Sequence, residues 1–373
     1  MRAFGSEDHP AGQPAPMPEG GWTFMSVMVC ASLALVLAVF YFDCFLEGST
    51  GLRLFAHLAM LVPAFIGLTR IRHSFHPKIR GDAQLPLLSL GAALLAVWTI
   101  REAGIDPIIT MGIIGTACGL VERVASLSLE KSACLYVGAL VGLTSPVALH
   151  GIGPIIAAGL VAGLLWSVLH PLVPMIGGRI GLTVFVAVFA VWLVAIAEGW
   201  QDPGIMPPDT NLLNKALVLA VALSAAQVTH QLLKTRVVGV VGASALPTGL
   251  FAVGLLLVPE TWGVVTGTLS VTWIGGSFIG MTGSEWTQSR WVLPVASVAL
   301  GIFTLGSGPT LMGLGGGSGT TAVISVLIGL GICGVRESAF GLASAGDGLA
   351  QQNRVVGDEV VAPDETSFAP VHR

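Results

Sequence analysis

The chain has 373 residues, of which 53% are hydrophobic and only 10% are charged, and its formal net charge is −4. So few polar groups cannot cover a water-soluble globule of this length, which indicates that the lipid bilayer is the solvent of this chain. The small negative charge and the lack of a basic cluster exclude nucleic acid as an expected partner.

Twelve apolar runs, each of a length suited to crossing roughly 30 Å of hydrocarbon, follow one another along the chain. Because backbone groups at that depth have no water, each run predicts a helix. The fold class that we expect is an all-α polytopic membrane protein with about 12 transmembrane helices. The runs cover residues 22–45, 51–70, 85–104, 106–122, 132–149, 152–170, 180–199, 212–233, 237–258, 262–283, 289–306 and 318–335.

The positions of Lys and Arg predict the orientation of these helices, because both residues accumulate in cytoplasmic loops. The loop 70–84 carries four of the 17, which places it in the cytoplasm. Alternation from there leaves only Arg53, Arg101 and Lys215 outside. We therefore expect an integral protein of a bacterial inner membrane with both termini in the cytoplasm.

A repeat with an offset of 138 residues aligns segment 138–188 with segment 276–326 without a gap. The matches fall in two clusters at the same spacing, which chance would hardly produce even in a chain so rich in glycine. In the first copy the matched residues are Gly138, Gly142, Thr144, Ala158, Gly163, Pro171, Gly177, Gly178, Gly181, Thr183 and Val188.

The helix count predicts what kind of repeat this is. The fifth run corresponds to the tenth, so an odd number of crossings separates equivalent helices and the two copies face opposite ways. The sequence thus predicts two inverted five-helix repeats plus two N-terminal helices. In chain order we expect a cytoplasmic tail at 1–21, two extra helices and a basic loop at 22–84, the first repeat at 85–199, an external loop at 200–211, the second repeat at 212–335 and a disordered cytoplasmic tail at 336–373.

Two duplicated features have both a packing and a functional interpretation. The GxxxG pairs Gly138/Gly142 and Gly276/Gly280 allow helix backbones to approach closely. The Gly-rich loops 177–181 and 313–319 are either plain turns or parts of a solute site. Irregular backbone at corresponding places is typical of the site in inverted-repeat transporters.

Titratable groups are scarce inside the predicted membrane region. The glutamates of the apolar region fall at helix ends, where a solvated interfacial role is expected, and Asp43 stays open. We interpret His57, His150, His170 and His230 as interfacial rather than as haem or metal ligands, and the five cysteines as buried structural thiols. Since no H-E-x-x-H, G-x-S-x-G or Walker sequence occurs, we expect no enzyme, no catalytic residue, no cofactor and no metal.

Hydroxyls and peptide groups remain near the midplane, and these suit a small neutral polar molecule or a small anion. Arg179 would favour anions if it pointed into the path, and is otherwise a cytoplasmic positive-inside residue. The candidate solute-binding residues are Thr144, Gly177, Gly178, Gly181, Thr183, Thr282, Gly315, Gly316, Gly319, Thr320 and Thr321.

Degenerate copies of two motifs occur in each half. VGALVGL at 137–143 and GGSFIGM at 275–281 resemble the N-G-x-L-V-G segment of urea transporters, and RIGLTVF at 179–185 and GSGTTAV at 317–323 resemble their L-P-x-x-T-x-P-F segment, without its prolines. The resemblance implies two inverted five-helix halves and a homotrimer. Ser318-Gly319-Thr320-Thr321 also resembles the S-G-A-T setting in which related redox subunits carry flavin on threonine.

The function that we expect is a passive channel or facilitator for a small polar solute at the interface of the two repeats. A secondary transporter coupled to an ion gradient is one alternative. A non-transporting membrane subunit of a redox or envelope-biosynthesis complex is another.

Overall fold

The structure is a computed structural model that describes residues 60, 62–70, 82–172, 175–197, 212–260, 265–306 and 315–334. These residues form helices and turns, and no strand occurs among them. The helices are α1 (62–70), α2 (Gln84–Arg101), α3 (Pro107–Val124), α4 (Leu129–Gly142), α5 (Gly153–Leu172), α6 (Arg179–Ala197), α7 (Leu212–Thr235), α8 (Val240–Leu255), α9 (Thr266–Gly280), α10 (Val292–Gly306) and α11 (Gly317–Gly334).

The all-helical class is confirmed for this part of the chain, and each of the last ten predicted runs contains one helix. The first run, half of the second run, the predicted external loop at 200–211 and the tail at 336–373 lie outside the described residues. The same is true of Asp43, of His57, of residues 313 and 314 in the predicted Gly-rich loop 313–319, and of Pro309. Of its repeat partner Pro171, only the helical backbone is described.

Among the described residues, five helices are long and apolar enough to cross a membrane: Gln84–Arg101, Pro107–Val124, Gly153–His170, Leu212–Thr235 and Gly317–Gly334. Their mean hydropathies lie between 1.3 and 1.7. Large apolar side chains such as Leu87, Trp98 and Leu250 are exposed on the outside of the bundle, where a soluble protein would place polar groups. These features indicate an integral membrane protein.

Local sequence explains where several helices begin. Asp106 caps α3, since its Oδ1 accepts hydrogen bonds from the backbone N–H groups of Ile108 at 2.8 Å and Ile109 at 3.1 Å, and Pro107 occupies the first helical position. Ser128 caps α4 by accepting a bond from the N–H of Lys131. These caps fix where α3 and α4 begin. Residues of both helices line the large cavity that is described below.

The GxxxG glycines lie where helices cross closely. In α4, Gly138 faces the carbonyl of Ser89 in α2, and a Cβ on Gly142 would lie 2.7 Å from the carbonyl oxygen of Ala93. In α9, Gly276 and Gly280 face α7 in the same manner, against Ala222 and Ala226. The packing interpretation of these glycines is therefore correct: their missing side chains let the backbones meet.

The packing of the first half recurs in the second half. Helix α2 packs on α4 and α5, and correspondingly α7 packs on α9 and α10; α3 packs on α4 as α8 packs on α9. Helix α1 is an addition that packs on α11, where Gly67 contacts Leu327 and Gly331 contacts Pro63. Helix α11 is central, because every residue from 319 to 330 is buried.

Helices α3 and α8 cross each other closely and run in opposite directions. Gly112 contacts Gly249, Gly115 contacts Ala245, and Gly119 contacts Gly242. Along the crossing, the residue numbers increase in α3 while those of the contacted residues decrease in α8, so the two helices are antiparallel. Small residues at each crossing point allow this close approach.

Candidate functional site

The two Gly-rich turns come together at the crossing of α6 and α11. Gly181 lies against Gly319, and a Cβ on Gly181 would be 2.5 Å from the Cα of Gly319. These two residues are partners in the 138-residue repeat. A residue that contacts its own repeat partner lies at the symmetry axis that relates the two copies.

The surrounding contacts are reciprocal as well. A Cβ on Gly178 would lie 2.7 Å from the backbone nitrogen of Val323, and one on Gly316 would lie 2.5 Å from the backbone nitrogen of Phe185. Adding 138 to 178 and 185 gives 316 and 323, so each contact is the copy of the other. The two helix ends thus meet as a symmetric pair.

Backbone conformation also requires glycine at these turns. Gly178 has a φ of 92° and Gly316 a φ of 83°, both in the left-handed region that other residues rarely adopt. Their matched positive φ angles turn the chain sharply into α6 and α11. The sequence prediction that both turns are duplicated irregular backbone therefore agrees with the geometry of the described residues.

A large cavity of about 400 Å³ opens beside the α11 end of this crossing. Its lining includes Thr144, Leu140 and Phe278, residues 315–318, and the charged residues Arg101 and Asp106. We call it the large cavity. This volume has room for many waters or a small solute, since one water needs only about 10–15 Å³ of such a cavity.

A small cavity of about 20 Å³ lies beside the α6 end of the crossing. Its lining residues include Ala133, Gly178, Arg179, Val241 and Met281. Several of these are the repeat equivalents of residues that line the large cavity: Gly178 of Gly316, Arg179 of Gly317, and Met281 of Leu143. The two cavities are therefore equivalent places in the two halves, and they differ in size about twentyfold.

The side chain of Arg179 accounts for part of this difference, because its equivalent Gly317 has none. Its guanidinium carbon lies 5.4 Å from the ring centroid of Trp166, within cation–π range. One of its nitrogens donates to the carbonyl of His170 at 3.5 Å. Arg179 is thus held inside the protein in the small cavity, where the large cavity has open space.

The predicted threonines fall into two groups. Thr183, Thr320 and Thr321 are buried in α6 and α11, and each hydroxyl donates to a backbone carbonyl three or four residues earlier, such as that of Arg179 for Thr183 at 2.9 Å. They line neither of the two cavities. Thr144 differs, since it lines the large cavity.

Thr144 and its repeat partner Thr282 also differ in bonding. The Oγ1 of Thr282 accepts a hydrogen bond from the N–H of Gly177 at 3.2 Å and donates to the carbonyl of Ile279 at 2.6 Å. The Oγ1 of Thr144 lies close to Gly315, the equivalent of Gly177, yet has no hydrogen-bond partner among the described residues. The hydroxyl of Thr282 therefore both accepts and donates a hydrogen bond, whereas that of its repeat partner Thr144 does neither among the described residues.

Predicted site glycines 177, 178, 181 and 319 are buried and form the contact between the halves, whereas Gly315 and Gly316 also line the large cavity. Sequence reasoning missed Leu140, Phe278 and Ser145 as lining residues. The repeat contained a signal for the first two, because Leu140 and Phe278 are 138 positions apart. Arg101 was interpreted only as one of the basic residues outside the membrane, Asp106 was not singled out, and nothing in the local sequence indicates that they line a cavity.

The described residues include no group of three or more His, Cys, Asp or Glu side chains that could hold a metal ion. Cys118 and Cys134 are buried thiols outside any disulfide, and the Sγ of Cys134 donates to the carbonyl of Leu85 at 3.1 Å.

Comparisons with known proteins give no relative. No family model, no curated protein and no solved structure matches the chain.

Proposed function

We propose that this protein is a facilitator for a small polar solute, with its path at the interface of two inverted five-helix repeats. The observation that carries the proposal is the pair of equivalent cavities on either side of the Gly181/Gly319 contact. Leu129 and Ala133 at the beginning of α4 line the small cavity, and Leu140 and Gly142 at its end line the large cavity. A path that joined the two would run along α4.

The antiparallel contacts support an inverted relationship between the repeats. Equivalent helices related by an axis along the membrane normal would run in the same direction, whereas an axis in the membrane plane makes them antiparallel. Both α3 with α8 and α6 with α11 cross in the antiparallel sense. With two further helices before residue 84, this gives the 2 + 5 + 5 arrangement and twelve crossings that we propose.

Sidedness follows from the positive-inside rule. Residues 143–150 and 315 then lie toward the exterior, and residues 175–180 toward the cytoplasm. The large cavity would be open to the outside, and Arg179 would close the cytoplasmic side. Unequal access to two equivalent cavities is the geometry of a protein that exposes its site to one side at a time.

This inequality also favours the second candidate, a secondary transporter, over an open pore. The two functions share the same site and differ in coupling. Uptake that depends on a sodium or proton gradient would identify the coupled form, and uptake that follows the solute gradient alone would identify the facilitator. The likeness to the urea-transporter fold remains a proposal about architecture.

Flux into proteoliposomes containing the full chain tests the proposal. We expect light-scattering or tracer flux of small polar solutes above that of empty liposomes. The variant Gly317→Arg places in the large cavity the side chain that closes the small one, so we expect it to abolish the flux. Gly267→Arg is the matched control, because no atom lies within 4 Å of a Cβ at Gly267. Equal flux in empty liposomes and in liposomes that contain the protein, for every solute tried, would contradict the proposal.

A further inference from the structure

Two aromatic rings meet between the large cavity and the small cavity. The rings of Tyr136 in α4 and Phe278 in α9 are arranged edge to face, with 6.3 Å between their centroids and 74° between their planes. Both side chains are buried, with 0% and 1% of their surface exposed. Aromatic rings attract each other in this arrangement, so the contact holds the facing sides of the two helices together.

The spacing of residues in α4 places the tyrosine ring on the side of the helix that lines both cavities. Leu129 and Ala133 line the small cavity, and Leu140 lines the large cavity. Tyr136 follows Ala133 by three residues and precedes Leu140 by four, so these side chains lie on one face of the helix. A path along this face from one cavity to the other passes the ring of Tyr136.

Helix α9 places the phenylalanine ring in the same way. Ile274 and Phe278 line the large cavity, and Met281, directly after the end of the helix, lines the small cavity. Steps of four and three residues keep these side chains on one face. Phe278 is the last of them before the small cavity. Each helix therefore contributes one ring at the boundary between the two cavities.

The repeat has aliphatic side chains at the equivalent positions. The equivalent of Tyr136 is Ile274, 138 positions later, and the equivalent of Phe278 is Leu140, 138 positions earlier. Ile274 and Leu140 both line the large cavity. The path thus has two aromatic rings in contact where it is closed and two smaller side chains where it is open.

The backbone of α3 fixes the position of the tyrosine ring. A Cβ on Gly115 would lie 2.6 Å from the Cε2 of Tyr136, so the ring packs directly on this glycine. With Gly115 on one side and Phe278 on another, the ring has no free space to turn into, because side chains in such interiors are closely packed.

We infer that the rings of Tyr136 and Phe278 form the constriction of the path and determine how large a solute can pass from one cavity to the other. This inference rests on the proposed function, since it names the residues that limit passage of the solute. The constriction is a second barrier, in addition to Arg179 in the small cavity.

Thiol labelling of the purified full chain in detergent tests the constriction without any flux measurement. Ala133→Cys places a thiol in the lining of the small cavity, in a chain whose five native cysteines are replaced, and a small charged methanethiosulfonate is the probe. We expect this thiol to be protected when both rings are present. Tyr136→Ala or Phe278→Ala should raise its labelling rate by about tenfold or more, because removal of a ring leaves a cavity at the boundary.

Matched variants separate the ring from other effects of substitution. Tyr136→Phe keeps the ring and loses only the hydroxyl, so the thiol should stay protected. Ser145→Cys, in the lining of the large cavity, measures how fast the reagent enters that cavity in each background. If the alanine variants do not fold, Tyr136→Ile combined with Phe278→Leu copies the residues of the other half and should also raise the labelling rate.

The outcomes separate this inference from the proposed function. Protection of Ala133→Cys that persists when the rings are removed would overturn the constriction, and so would an equal rate with tyrosine, phenylalanine and alanine at 136. Labelling that depends on the rings, in a chain that shows no flux in liposomes, would support the constriction and contradict the proposed function. Flux with the same upper limit of solute size in the native chain and in the Ile/Leu variant would overturn the constriction and leave the facilitator in place.

Discussion

Gly181 and Gly319, which are 138 positions apart in the chain, contact each other directly at the centre of the molecule. They occupy the third position of α6 and of α11, and neither position has space for a side chain. Since each is the repeat equivalent of the other, the contact marks the axis between the two halves.

Gly181→Ala should destabilise the protein. In an ordinary helix, alanine in place of glycine is stabilising by up to about 1 kcal/mol. Here the new Cβ would lie 2.5 Å from the Cα of Gly319, and overpacking of this kind costs roughly 1–3 kcal/mol. Thermal unfolding in detergent measures the difference, with Gly91→Ala in α2 as the control, because nothing lies within 4 Å of a Cβ at that position. A melting temperature for Gly181→Ala equal to or above that of Gly91→Ala would disprove the close contact.

Gly178→Ala should be more destabilising than Gly151→Ala. Both residues have a positive φ, of 92° and 80°, so both alanines carry backbone strain on the order of 1–2 kcal/mol. Only Gly178 also faces backbone atoms of α11, with the nitrogen of Val323 2.7 Å from a Cβ, whereas Gly151 has open space. The same unfolding measurement compares them. Equal losses would mean that conformation alone, and not the contact between the halves, requires glycine at 178.

Thr144→Val should reduce solute flux more than Thr183→Val does. Thr144 is a lining residue of the large cavity, while Thr183 lines neither of the two cavities and its hydroxyl is bonded to the carbonyl of Arg179 at 2.9 Å. Loss of one hydrogen bond beside the path corresponds to roughly 0.5–1.5 kcal/mol, or about two- to tenfold in binding. Initial rates at low solute concentration in proteoliposomes measure the effect. A larger loss in Thr183→Val would place the path along α6 instead.

The lengths of the apolar runs and the spacing of the glycines predicted much of the fold. Ten apolar runs contain the helices α2 to α11, and the 138-residue offset pairs residues that prove to be in contact, such as Gly181 with Gly319. Helix ends were less predictable. The fifth run was expected at 132–149, yet α4 ends at Gly142, because the apolar residues 147–149 lie in a turn next to Pro146. Hydropathy does not distinguish an apolar turn from an apolar helix.

The sequence did not predict that the two cavities differ in volume. It depends on where the Arg179 side chain lies, against Trp166 and the carbonyl of His170, and no spacing rule specifies that position. Arg101 and Thr144 are 43 positions apart and come together only because α2 packs on α4. Thr183 and Thr321, in contrast, were selected as candidates from their motif alone, and their hydroxyls bond to their own helices.

Arg179→Gly should open the small cavity. The substitution copies Gly317, its equivalent at the large cavity, and removes from the lining of the small cavity the side chain that packs on Trp166. We expect Ile180→Cys, which is 4% exposed in the native chain, to become reactive toward a membrane-impermeant thiol reagent in this background. Arg179→Lys should leave it protected. Reactivity of Ile180→Cys that is the same with arginine and with glycine at 179 would remove Arg179 from the closure.

We propose that two equivalent cavities face opposite sides of the membrane, one open and one closed. Labelling of Ser318→Cys and Ile180→Cys, which are equivalent in the repeat, tests it directly in a chain whose five native cysteines are replaced. In intact cells and in inside-out vesicles, we expect Ser318→Cys to react only from the outside. Ile180→Cys should react only from the cytoplasmic side, and only when Arg179 is glycine. Labelling of both cysteines from the same side would contradict the inverted arrangement and the path proposed between the halves.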